Sequence, residues 1–250
     1  MNNLKTTLKI VKNKYFSSKV IRERQGVALE FYTRLIPKSA LIFDVGANIG
    51  DRVALFNKLN AKTIAVEPQS YCVNYLKTRF KNKLIIENVA LGEKEGVGEI
   101  YVSNANTLSS MSKKWIDKMK EKRFKEYEWN KKEKIQITTL DKLIEKHGLP
   151  YFCKIDVEGY EFEVLKGLTK KIKLISFEYA LPEATENIIN CINHLSSIGT
   201  IECNFVNGES FQFGSDKWLK PGEIINQIVN EFEKKLNTEG DIYVRYLDEK

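Results

Sequence analysis

Residues 41–50 read LIFDVGANIG, a strand-like apolar run that reaches a carboxylate and then breaks into a glycine-bearing loop. The run, a loop holding Gly46, Asn48 and Gly50, and a helical pattern from Arg52 to Leu59 make a strand-turn-helix whose backbone can approach a nucleotide-like ligand closely. On this reading the glycines leave room where a Cβ would collide. A second apolar strand, Thr63 to Val66, runs into Glu67 and Pro68. That places an acid about twenty residues beyond the loop, where a carboxylate accepts hydrogen bonds from ribose hydroxyls.

The loop spacing separates two classes of cofactor. Dinucleotide sites use G-x-G-x-x-G, with the pyrophosphate on a helix N-terminus free of competing negative charge. Here the spacing is G-x-x-x-G, with Asp44 just ahead of the first glycine. A carboxylate in that position repels a pyrophosphate and suits a cofactor carrying amino and sulfonium groups. S-adenosylmethionine is the expected cofactor, and a nicotinamide-dependent oxidoreductase is disfavoured. The expected cofactor contacts are Asp44, Gly46, Ala47, Asn48, Gly50, Glu67 and Pro68, with Asn88, Val89 and Ala90 beside an adenine edge and Asp156 at the reacting end.

From residue 41 onward strands and helices alternate: strands at 41–45, 62–66, 84–90, 151–156, 174–177, 200–205 and 242–246, with helices at 69–80, 140–147, 160–168, 183–198 and 221–236. Such alternation predicts an α/β fold built on a doubly wound, seven-stranded sheet with right-handed crossovers and a last strand running antiparallel. One stretch departs from it. Val97–Val102 and Lys134–Thr138 are strand-like and bracket an insertion at about 103–134, whose polar, Lys-rich body at 109–133 includes Trp115 and Trp129. This insertion is expected to cover the acceptor side of the cleft, where specificity resides. Residues 1–36 read as a basic helical extension, with Leu4, Leu8, Val11 and Tyr15 at helical spacing among lysines, and residues 37–250 as the main domain. The stripe packs on that domain in one reading and makes weak peripheral contact with anionic lipid in the other.

In doubly wound sheets, ligands gather beyond the carboxyl ends of the strands. Those positions hold acids here: Asp44, Glu67, Asp156 and Glu158 after the fourth sheet strand, and Glu178 after the fifth. Asp156, Glu158 and Glu178 are the candidate catalytic residues, as base or orienter of an acceptor hydroxyl. Glu161 and Glu163 fall in a first helical turn, where acids are ordinary. His147 and His194 lie away from the carboxyl ends of the strands and are set aside as the base. The expected site needs no metal; a divalent cation bridging the acids is the competing reading. Trp115, Trp129 and Trp218 either stack on a sugar ring or pack in the core.

The segments FDVGANIG, VEPQ, NVALGEKEG, TTLDKL and KIDVEGYEFEVLKG, in that order across about residues 41–180, resemble the FkbM family of S-adenosylmethionine-dependent methyltransferases. The resemblance implies a class I methyltransferase fold and, most often, O-methylation of a hydroxyl on a sugar, glycan or secondary metabolite. It also implies cofactor contacts at Asp44, Gly46, Asn48, Gly50 and Glu67, with DVEG facing the reacting methyl group.

The 250 residues carry a net charge of +7, which raises an RNA methyltransferase as an alternative. The strand that delivers Asp156 continues as DVEG instead of the N/D-P-P-Y/F loop of base-amino methylation, so a nucleic-acid partner is disfavoured against a small-molecule or glycan acceptor. A non-catalytic S-adenosylmethionine-binding module is the other alternative; the intact acids beside the expected methyl position argue against it. The four cysteines are scattered and only two histidines are present, which gives no metal-cluster spacing. No apolar run approaches a membrane span and the Lys-rich start lacks a signal-peptide core, so a cytoplasmic location is expected.

Overall fold

The computed structural model describes residues 18–81, 83–228 and 238–247. The apolar stripe read at Leu4, Leu8, Val11 and Tyr15 lies outside them. In chain order the elements are α1 (Ser18–Leu35), β1 (Leu41–Val45), α2 (Asp51–Lys58), β2 (Lys62–Val66), α3 (Ser70–Arg79), β3 (Ile85–Glu87), β4 (Ala90–Leu91), β5 (Gly96–Val102), α4 (Lys113–Glu121), β6 (Lys131–Thr138), α5 (Leu140–His147), β7 (Phe152–Ile155), α6 (Glu161–Lys166), β8 (Leu174–Leu181), α7 (Thr185–Ile198), β9 (Ile201–Asn207), α8 (Pro221–Gln227) and β10 (Thr238–Tyr246).

Seven strands form one sheet in the order β3-β2-β1-β7-β8-β10-β9. β3, β2, β1, β7 and β8 run parallel, and β10 is antiparallel to both of its neighbours, β8 and β9. The chain starts at the centre and winds outward in both directions, so the order reverses between β1 and β7, where doubly wound sheets open a ligand crevice. β1, β2 and β7 are buried almost continuously, as strands covered on both faces must be. Successive side chains serve opposite faces. Phe43 and Val45 join the core shared with Leu140, Val164 and Ile188 of α5, α6 and α7. Ile42 joins the core shared with Tyr32 of α1 and Phe56 of α2. The Tyr32 ring meets Phe56 of α2 edge-on with centroids 5.2 Å apart and Phe152 of β7 at 6.0 Å, so α1 covers part of the sheet directly.

Two features differ from the sequence reading. β8 runs to Leu181, past the expected end at residue 177, because its last residues pair with the start of β10 (Glu178 opposite Asp241, Leu181 opposite Thr238). Glu178 therefore sits inside a strand, not beyond one. The expected strand at 84–90 is split into β3, which joins the main sheet, and β4, which pairs in parallel with β6. With β5 antiparallel to β6, these make a separate three-stranded sheet.

The chain between β5 and β6 has a core of its own, made by Leu108, Trp115, Ile116, Met119 and Trp129. α4 contributes one apolar face to it and starts on Ser112, whose hydroxyl accepts from the Trp115 amide at 3.2 Å, a helix N-cap. Trp129 donates its indole N–H to the Leu108 carbonyl at 2.6 Å. Trp115 and Trp129 are thus packed, and Trp218 lies edge-on against Phe213. No helix among the described residues is long and apolar enough to cross a membrane.

Candidate active site

The loops after β1, β2, β3 and β7 converge on one cleft, with a cavity volume of about 280 Å³. Its wall includes Asp44, Gly46, Ala47, Asn48, Glu67, Pro68, Val89, Ala90, Asp156 and Glu158. Gly50, Asn88 and Glu178, also expected to face the ligand, are not on that wall, and Glu178 joins the site through Asp156 and Glu158, whose oxygens lie within 4.8 Å of its own. Gly50 adopts φ +83° ahead of α2, and a Cβ there would come within 2.6 Å of Leu76 and Phe80. Asn88 directs its amide to the Glu67 and Pro68 carbonyls at 3.0 and 3.1 Å, bracing the turn after β2.

Gly46 is required for a reason the sequence reading misplaced. At φ +82° its absent Cβ would lie 1.8 Å from the Asp156 carbonyl oxygen. The collision avoided is with the protein's own backbone, where the ends of β1 and β7 close together. The Gly46 and Ala47 amides donate to the Val66 carbonyl, and the Asp156 amide to the Val45 carbonyl, so three strand ends are locked in register around the loop. Glu67 likewise does structural work. Its two carboxylate oxygens accept from the Asn48 and Gln69 amides, each at 2.8 Å, which ties the first two loops together. Each oxygen retains a lone pair for a ligand hydroxyl.

Asp44 is 2% exposed, and its Oδ2 has no hydrogen-bond partner. Burial pushes its carboxyl up to about 6, against the opposing charge of Lys154. Burial pushes Glu67 to about 7, against its two amide donors. An orphaned buried carboxylate on the wall of a cleft is a receptor for a cation or a strong donor.

The DVEG segment carries the second charged group. Lys154 is buried, stands beside Asp44 in the β1–β7 register, and places Nζ 2.6 Å from Asp156 Oδ2. Burial by itself would raise the Asp156 carboxyl, but the Lys154 charge and hydrogen bond outweigh it and hold Asp156 below its ordinary value. Glu158 and Glu178 shift the other way. Burial, with the charge of Asp156 on Glu158 and of Glu158 and Asp156 on Glu178, holds both well above the usual carboxylate range. Glu178 is also hydrogen-bonded to Asp156. One acid whose pKa is lowered beside two whose pKa is raised is the arrangement from which acid and base roles are drawn.

Glu158 occupies the left-handed region at φ +54°, a cost for a residue with a side chain that the surroundings must impose. Glu161 imposes it: buried, it accepts from the Val157 and Gly159 amides at 3.3 and 3.0 Å and from the Asn187 amide group at 2.8 Å. Glu163 pairs with Lys166 on the surface. Oxygens of Asp156, Glu158 and Glu178 lie within 4.8 Å of one another, a spacing that a hard cation could bridge. Lys154 already places a positive charge against the group.

The insertion closes over this region. The Asn106 amide group donates to the Asn48 side chain, Ser110 donates to the Glu158 carbonyl at 2.7 Å, and Trp115 packs where a Gly159 Cβ would stand. At its far end Lys122 and Arg123 reach Glu183 at 3.4 and 3.3 Å. The histidines are elsewhere: His147 pairs with Glu87 at 2.7 Å and His194 faces the Leu168 carbonyl at 3.1 Å. Sequence reasoning missed Lys154, Arg52 and Glu161 as parts of the site. A lysine inside an otherwise apolar strand was the available signal for the first, since a buried lysine requires a partner.

Residues 44–213 match the family model of the methyltransferase FkbM domain. No curated protein matches the chain. Among solved structures, the precorrin-6y C5,15-methyltransferase of Geobacter metallireducens is similar at 10% identity and a TM-score of 0.47, over 94% of this chain and 92% of that one. A TehB-like SAM-dependent methyltransferase of Corynebacterium glutamicum aligns at 6% identity and a TM-score of 0.45, over 98% and 96%. The O-methyltransferase of Bacillus cereus in complex with SAH aligns at 8% identity and a TM-score of 0.45, over 99% and 91%.

Proposed function

The chain belongs to the FkbM methyltransferase family and folds as a class I methyltransferase, and from that premise we propose that it uses S-adenosylmethionine to methylate a hydroxyl group on a sugar, glycan or other small polyhydroxylated acceptor. The observation that carries this reading is geometric: oxygens of Asp156, Glu158 and Glu178 gather within 4.8 Å of one another at the end of the central strands, with Lys154 Nζ 2.6 Å from Asp156 Oδ2.

The cleft fits the cofactor. The unpartnered Asp44 oxygen suits its ammonium, the remaining Glu67 lone pairs suit ribose hydroxyls, and Val89 and Ala90 offer an apolar wall to the base. When bound, S-adenosylmethionine supplies an electrophilic methyl group on sulfur. The protein's part is alignment and removal of one proton. Asp156, with Lys154 against its other side, would accept a hydrogen bond from the acceptor hydroxyl and fix its direction. A carboxylate oxygen of the trio would take the hydroxyl proton while the methyl group leaves sulfur for the acceptor oxygen and the thioether is released.

Transfer of a radiolabelled methyl group to candidate acceptors tests the reaction class. Label is expected in a base-stable ether on a hydroxylated acceptor. Label recovered in RNA, with binding that weakens steeply with salt, would replace this reading with a nucleic-acid one.

A further inference from the structure

Building on the S-adenosylmethionine reading above, we propose that Arg52 is the anchor for the carboxylate of the cofactor's amino-acid end, and that Glu209 occupies its guanidinium until the cofactor arrives. Arg52 lies in the first turn of α2, directly after the glycine loop, and lines the cleft. Its Nη2 is 3.4 Å from Glu209 Oε1, and its guanidinium stacks over the Phe211 ring at 4.9 Å. Both partners belong to the loop after β9, so this loop reaches the cofactor cleft through Arg52.

The argument is one of charge. An amino-acid group brings a carboxylate as well as an ammonium, and a carboxylate entering a cleft already lined by Asp44, Asp156 and Glu158 needs a cation. Among the described residues, the cations lining the cleft are Lys154 and Arg52. Lys154 is committed to Asp156 at 2.6 Å and is buried. Arg52 is differently placed. Its ion-pair partner Glu209 is 56% exposed against 24% for Arg52 and is shared with Arg24 at 3.3 Å; a long pair with one exposed and shared partner holds weakly, while the charge of Asp241 also acts on Arg52. A guanidinium offers a planar fork that matches a carboxylate with two parallel hydrogen bonds, which Glu209 does not provide at 3.4 Å. Arg52 lines the same cleft as Asp44 and Asp156, the acids that the amino-acid group would approach if Glu67 takes the ribose.

Calorimetry with two ligands separates this role from the cofactor reading itself. S-adenosylhomocysteine carries the amino-acid group; methylthioadenosine keeps the nucleoside and thioether but lacks it. Arg52→Gln is expected to weaken S-adenosylhomocysteine about ten- to a hundredfold, the loss typical of a charged hydrogen-bonded pair, and to leave methylthioadenosine within about twofold. Arg52→Lys, which keeps the charge and loses the fork, should fall between wild type and Arg52→Gln and serves where the glutamine variant does not fold. Glu209→Gln should tighten S-adenosylhomocysteine and leave methylthioadenosine unchanged. Equal weakening of both ligands in the Arg52 variants, or unchanged binding of S-adenosylhomocysteine, overturns the anchor; an unaltered Glu209→Gln overturns the placeholder. A wild-type protein that binds neither ligand overturns the cofactor reading instead.

Discussion

Replacing Gly46 by alanine is expected to abolish cofactor binding and to destabilise the fold by about 3 kcal/mol or more, the range for a strained backbone combined with forced overpacking. The added methyl group would sit 1.8 Å from the Asp156 carbonyl oxygen, at a φ of +82° that L residues rarely adopt. Backbone cannot step aside as a side-chain tip can. Relief would require the ends of β1 and β7 to part, which breaks the hydrogen bond from the Asp156 amide to the Val45 carbonyl and displaces Asp44 and Asp156 together. For a chain of this size the melting temperature should fall by roughly 6–12 °C. Gly222→Ala is the control: nothing lies within 4 Å of its added Cβ, and the melting temperature should stay near that of the wild type. A Gly46→Ala protein with normal melting and normal affinity would contradict the pinched geometry.

Asp156→Asn and Glu178→Gln are expected to cut turnover by about a hundredfold or more, in line with general-base contributions, while cofactor affinity stays within a few fold. The two variants fail differently. Asp156→Asn leaves Lys154 buried without its counter-charge, so it should also lose stability. Glu178→Gln removes an acid whose pKa burial raises, so its folding should be nearly normal and its defect mainly kinetic. The pH profile separates the roles. If a carboxylate of raised pKa takes the acceptor proton, wild-type turnover rises with pH as that group ionises, and the variant lacking it loses the rise. Wild-type turnover in both variants, at saturating cofactor with the true acceptor, would remove these acids from the reaction.

The frame of the fold was legible because a parallel sheet buried on both faces writes its strands as unbroken apolar runs, and β1, β2 and β7 lie within a residue of where those runs fall. The acids at the strand ends were legible for the same reason, since a charge that terminates an apolar run marks the edge of the core. What the runs do not encode is pairing at a distance. β8 is longer than its apolar segment because β10 supplies hydrogen-bond partners up to Leu181, and β4 leaves the main sheet because β6 offers it a partner. Side-chain roles were harder still. Gly46 looked like room for a ligand and proves to be room for Asp156; Asn88 looked like an adenine contact and braces a turn. Arg52 carried no local signal, because its significance comes from Glu209, far along the chain.

The most direct test of the account is calorimetric titration of the wild-type protein with S-adenosylhomocysteine, with NADH as the competing ligand, at pH 5 and pH 8. Single-site binding in the micromolar range is expected, about −8 kcal/mol. Affinity should be greater at pH 8, because Asp44, raised by burial to about 6, must lose its proton to receive an ammonium group. For the ligand-free protein the sign is opposite. A carboxyl whose pKa is raised on folding contributes stability that is present below its ordinary value of 3.8 and lost as pH rises through about 6. Tight NADH binding with no S-adenosylhomocysteine binding at either pH would contradict the assignment of this cleft.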